Sequence, residues 1–121
     1  MRTPSTDYLA LLRAAAVVER LEIERTVHPG DEDRQRAYLV CRAALADRAV
    51  PALAEYEAPE TSEHDAESTA RCLLAHDRIH GTGRGPVLPA DLRWETDPRG
   101  YVHQEHAVHV LTEHDQEHSG A

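Results

Sequence analysis

The sequence predicts an all-α protein, a compact bundle of three long helices and a shorter C-terminal one, and three observations carry that expectation. Apolar residues recur at three- and four-residue spacing through most of the chain. The periodic stretches are bounded by cap and stop residues. The apolar fraction, 40%, is built from Ala, Leu and Val with no Phe, one Trp and four Tyr, which suits helix packing better than a β-sandwich. A length of 121 residues is enough for one core. We therefore expect a single helical domain over 1–121, with 117–121 as a frayed tail.

The first helix is expected from Asp7 to about Thr26, with Ser5 or Thr6 as its cap, "HPG" at 28–30 as its stop, and Tyr8, Leu11, Leu12, Ala15, Val18 and Leu21 on its inner face. Asp31 to Asp33 offer a cap and first-turn acids for a second helix, whose Ala37, Tyr38, Cys41, Ala44 and Leu45 share a face. Pro51 clashes with the carbonyl of Asp47 in an unbroken helix, so "PALAEYEA" reads as a kinked continuation or a short separate helix ended by Pro59. A third helix is capped by Thr61 or Ser62, carries Arg78 late and stops at Gly81. "GTGRGP" reads as a flexible loop, and Trp94 as a plug folding back on the core from a helical turn opened by Pro89. Asp97 and Pro98 make a cap and first position for a last helix, 98 to about 115, although "HAVHVL" leaves a strand open within 101–112.

The net charge of -9 is unevenly placed. Residues 1–50 hold eight Arg against eight acids, and residues 51–121 hold five Arg against fourteen. An acidic surface disfavours direct contact with nucleic acid or anionic lipid and favours a protein partner with a basic surface. Cys41 and Cys72 are too few for a secreted disulfide framework, and "YLALLRAAAVVERLEIER" is interrupted by charge and too short to span a bilayer. The expected location is the cytoplasm, with no membrane span and with room for a homo-oligomer.

Nine histidines need an account. "HDRIH" at 76–80 and "HDQEH" at 114–118 repeat one frame, and two imidazoles four residues apart on a helix can share a zinc or nickel ion. Cys72 stands eight residues from His80, about 12 Å along a helix, so one ion cannot take both with His76. Further ligands must come from the last element, which nominates His76, His80, His106 and His109 as the metal site, with Glu113 as an alternative beside His109. Against this stands a plainer account: His76, Arg78 and His80 suit the exposed carbonyls of a helix end, and the C-terminal histidines are solvated beside acids.

"LLAHDRIHG" resembles the metal-binding helix of HD-type phosphohydrolases, with His76 and Asp77 matching the doublet that names them. The resemblance implies an all-helical metal-dependent hydrolase completed by an upstream His, here His28 or His64, and a downstream Asp, here Asp97 or Asp115. The Arg78-Ile79 pair departs from the apolar-then-Gly pair that commonly follows the doublet. No serine stands in a nucleophile elbow, and both thiols read as packing. The functional expectation is an interaction or regulatory module. A His-ligated metal protein or HD-like enzyme is second, and an acidic mimic of nucleic acid that occupies a basic protein's site is third.

Overall fold

The computed structural model of the chain describes residues 6–56 and 58–119, with side chains over 8–56 and 58–116. Four α-helices follow one another: α1 (Thr6–Val27), α2 (Glu32–Ala52), α3 (Pro59–His80) and α4 (Pro98–Ser119), with one 3-10 turn, Leu92–Glu95, before the last. The fold is all-α. The 101–112 segment is helix, not strand, and α4 runs to Ser119, past the expected end near 115. Ser5, Glu57 and the last two residues of the expected frayed tail lie outside the described residues.

Several boundaries follow from local chemistry. Asp31 caps α2 by accepting a hydrogen bond from the Arg34 amide at 3.1 Å. Asp97 serves α4 in the same way, accepting from the Gly100 amide at 3.0 Å. Gly81 ends α3 in the left-handed conformation, φ 65°, which a side chain disfavours. Two expectations need correction. α3 opens at Pro59 with Ala58 as its cap residue, not at Thr61 or Ser62, because proline's fixed φ and missing N–H suit a first helical position. Pro51 sits inside the last turn of α2, which ends at Ala52, and the residues after it form turns in place of a second helix.

Helix α2 is the centre of the bundle. It packs against α1, α3 and α4, whereas α1 has α2 as its one substantial helix partner among the described residues. On the α1 side, Val18, Leu21 and Cys41 are buried, with Ala37, Tyr38 and Leu45 partly so. Arg25 lies over the Tyr38 ring, 3.9 Å from its centroid, and the Gln35 side chain donates to the Arg25 carbonyl at 3.0 Å. On the other side Val40 and Ala43 meet Ala70, Leu73 and Leu74 of α3 and Tyr101 and Val102 of α4. Trp94 closes this core as expected, edge-on to Tyr101 and donating to the Leu88 carbonyl at 3.0 Å. Leu12, expected inside, is 51% exposed.

Candidate functional site

Each of the three core helices carries a charge where its apolar stripe runs on. Arg36 precedes Val40 and Ala43 on α2, Asp77 follows Ala70 and Leu73 on α3, and Glu105 follows Tyr101 and Val102 on α4. Packing the stripes together brings the charges together. Arg36 donates to both oxygens of Asp77, Nε to Oδ1 and Nη2 to Oδ2 at 2.9 Å each, and Nη2 also reaches Glu105 Oε1 at 2.7 Å. All three residues are nearly sealed from solvent, at 4%, 0% and 1% exposure.

One guanidinium cannot neutralise two carboxylates, and the remaining negative charge is held by other donors. Asp77 accepts from Thr82 Oγ1 at 2.6 Å and from the Tyr101 hydroxyl at 2.5 Å. Glu105 accepts from the backbone amides of Arg84 at 2.6 Å and Gly85 at 2.8 Å, and from Gln104 Nε2 at 2.8 Å. Burial alone pushes the Asp77 carboxyl up, but the hydrogen bonds from Arg36, Thr82 and Tyr101 outweigh it and hold the group at about 2. Burial, then the bond to Asp77, drives the Tyr101 phenol well above its ordinary value. The Arg36 guanidinium is pushed down by burial and, more strongly, up by Asp77 and Glu105, so it stays charged.

The loop after α3 is part of this centre. The expectation of a flexible "GTGRG" needs correction, because its amides bind an anion, and the anion is the protein's own Glu105. A side chain at position 85 would collide with Gln104, so the close approach requires Gly85. Gln104 completes the anchor by accepting from the Val87 amide at 3.2 Å and donating to its carbonyl at 2.8 Å. Arg78, expected to serve the end of its own helix, ties down the next stretch by donating to the Pro89 carbonyl at 2.7 Å and to Glu95 at 2.9 Å.

The histidines nominated for metal stand in two pairs. His76 and His80 have ring centroids 4.5 Å apart and line a cleft of about 410 Å³ with Glu32, Gln35, Arg36 and Thr82. His106 and His109 have centroids 6.4 Å apart and line two other hollows, His106 beside Asp47 and Arg99, His109 beside Leu21 and Glu113. Among the described residues no group of three or more His, Cys, Asp or Glu side chains is placed to hold a metal ion. His109 Nε2 is closed off from solvent, 3.3 Å from Glu113 Oε1 but without a hydrogen bond. Burial, then the positive charge of Arg48, pushes the His106 imidazole down.

The histidine-aspartate doublet is likewise divided. Asp77 is turned into the protein as the counter-ion of Arg36, and His76 Nδ1 approaches it at 3.4 Å from the cleft side. Of the residues nominated to complete an HD-type site, His28 and His64 are exposed and Asp97 is the α4 cap. The thiols also differ: Cys41 is buried, its thiol pushed up to about 11 by burial and then by Glu113, while Cys72 is exposed and not part of an inner face as expected.

Arg36, Tyr101, Arg84 and Glu105 are not singled out by the sequence expectations. The available signal is a charge at i−4 or i+4 from an apolar stripe, with signs on the three helices that can combine.

A second feature faces outward. Along α1, residues 9, 12, 16, 20, 23 and 27 follow one another at three- or four-residue steps and form one stripe. Leu9, Leu12, Ile23 and Val27 on it are 44%, 51%, 61% and 66% exposed. On the opposite side of the helix Val18 and Leu21 already serve the α2 seam, and Leu11 is buried as well. None of the four exposed stripe residues belongs to either buried core cluster of the described fold. No helix among the described residues is long and apolar enough to cross a membrane. No protein-family model, curated protein or solved structure matches this chain.

Proposed function

We propose that this protein is an interaction module that meets another protein through the outer side of α1. The observation that carries the reading is the four-residue aliphatic stripe, exposed on a helix that leans on one neighbour. Large aliphatic residues gathered along one exposed helix face favour association, whereas aliphatic residues scattered singly do not. The charged centre supports the same reading. Its Arg, Asp, Glu and Tyr groups are bonded to each other and to loop amides, so they hold α2, α3 and α4 in register in place of meeting a substrate. A rigid core with a helix laid against one side is a frame for presenting that helix.

Charge adds direction. The acidic excess belongs to residues 51–121, outside α1, and favours a further partner with a basic surface there, held more weakly as salt rises. Zinc or nickel has less support, because His76 and His80 together supply two ligands and a stable site takes three or four.

A photo-crosslinking amino acid placed in turn at Leu12, at Ile23 and at the exposed Ile79 of α3 tests the proposal. Adducts with an identified protein are expected from the two α1 positions, and Ile79 should give none. Adducts from Ile79 alone, or from no position, would end the α1 reading.

A further inference from the structure

We infer that the partner on the outer face of α1 is a second copy of this chain, docked antiparallel about a two-fold axis near position 18; this rests on the interaction-module reading. A two-fold interface must be self-complementary, since each patch meets its own image. The stripe has that property. Read in reverse, it sets Leu9 against Val27 of the second copy, Leu12 against Ile23, and Ala16 against Arg20, and then repeats in mirror order. Four layers are aliphatic on aliphatic. In the central two, a small alanine receives the stem of an arginine, whose charged end can reach water at the rim. A parallel arrangement would stack Arg20 on Arg20, so the sequence selects the antiparallel one.

The flank of the stripe agrees. Arg13 and Glu24 lie on the same side of it, seen down the helix at 3.6 residues per turn. The two-fold axis brings same-side flanks together and sets Arg13 of each copy near Glu24 of the other. Arg13 has no ion pair among the described residues, and Glu24 has a loose one, to Arg20 at 3.8 Å. Net charge points to the same surface. Two chains of charge -9 repel, but the excess lies in residues 51–121, and residues 1–50 balance eight Arg with eight acids. The α1 face is where two copies can meet without opposing the acidic half of each other.

Sedimentation equilibrium of the full chain, with Arg13→Glu, Glu24→Arg and their equimolar mixture, tests this. The expected result is a dimer whose dissociation constant rises about tenfold or more in either variant, because each puts like charges opposite one another twice. The mixture should restore association, since one R13E chain paired with one E24R chain regains opposite charges at both contacts. Both positions are surface sites, and circular dichroism of each variant reports whether the helices persist; recovery in the mixture cannot come from a misfolded chain. A monomeric natural chain overturns the inference, as does a dimer indifferent to both charge reversals. If the chain is monomeric yet crosslinks a different protein from α1, the interaction reading survives and self-pairing does not; if it is monomeric and gives no adduct, both fall.

Discussion

The two sides of α2 solve the same packing problem with opposite chemistry. Toward α1 the contact is apolar and thin, built from Val18, Leu21 and Cys41 and edged by an arginine over a tyrosine ring. Toward α3 and α4 the contact combines a larger apolar core with three buried charges. The apolar side is tolerant, since aliphatic groups of similar volume can replace one another at small cost. The charged side is specific, because each donor must find its acceptor or leave a buried group unsatisfied. The two sides therefore differ in what opening them would break: apolar contact on one, paired buried charges on the other.

The largest expected effect breaks the charged side. Arg36→Met leaves Asp77 and Glu105 buried together without a cation, and urea denaturation should show a loss of about 3–5 kcal/mol, the range for orphaning a buried ion-pair partner. A loss below about 1 kcal/mol would mean the centre is less enclosed than its geometry shows.

Acid probes the same centre more gently. The Asp77 carboxyl is held at about 2 in the folded chain, against about 3.9 for a free aspartate, so its contribution is complete above pH 4 and disappears as pH falls through 2. It is on the order of 2 kcal/mol, and Asp77→Asn should flatten the stability profile over that window, as measured by denaturant midpoints at successive pH values. His106 acts at milder acidity. Its folded value is depressed, so the unfolded chain binds the proton more readily, and stability should slip as pH drops below about 6.5.

The apolar side is sharpened by thiol labelling. Cys72 should react with a thiol reagent at once. Cys41, at about 11, should react roughly a hundredfold more slowly than in the unfolded chain from its smaller thiolate fraction alone, and more slowly still from burial. If α1 lifts from α2 by itself, the Cys41 rate will rise in low urea with a slope well below that of global unfolding. Equal slopes would show that the two sides of α2 open together.

The smallest effect concerns metal. Zinc titration should give weak binding that His76→Ala or His80→Ala abolishes and that His106→Ala or His109→Ala leaves unchanged, because the two pairs line separate hollows. A loss shared by all four variants would mean that the last helix does complete a site with α3.

Most of the architecture is legible from caps and stops. Asp31, Gly81 and Asp97 act locally, within one turn of the helix they bound, and local chemistry is what a sequence displays directly. Inner faces are harder. Periodicity finds the Ala37, Tyr38 and Cys41 side of α2 and misses the side holding Val40 and Ala43, because Arg36 on that stripe reads as solvated until two carboxylates from distant segments are seen to meet it. Leu12 reads as an inner residue for the converse reason: an aliphatic residue on a two-sided helix carries no mark of which side is occupied. The site histidines pair locally as their spacing requires. Whether the pairs meet depends on how α3 and α4 pack, which no local signal reports.

The order of Arg36, Asp77 and Glu105 along the chain bears on synthesis. A chain extended from its N-terminus presents the cation first, one carboxylate next and the second carboxylate last. Before residue 105 emerges, Arg36 and Asp77 can meet as a neutral pair, while the amides of Arg84 and Gly85 have no anion to hold. Arrival of α4 supplies that anion and the Tyr101 hydroxyl together, so the loop amides and Asp77 gain these partners from the same helix. The helix with the exposed aliphatic face is made before the other three, so its outer side is presented while the charged centre is still incomplete.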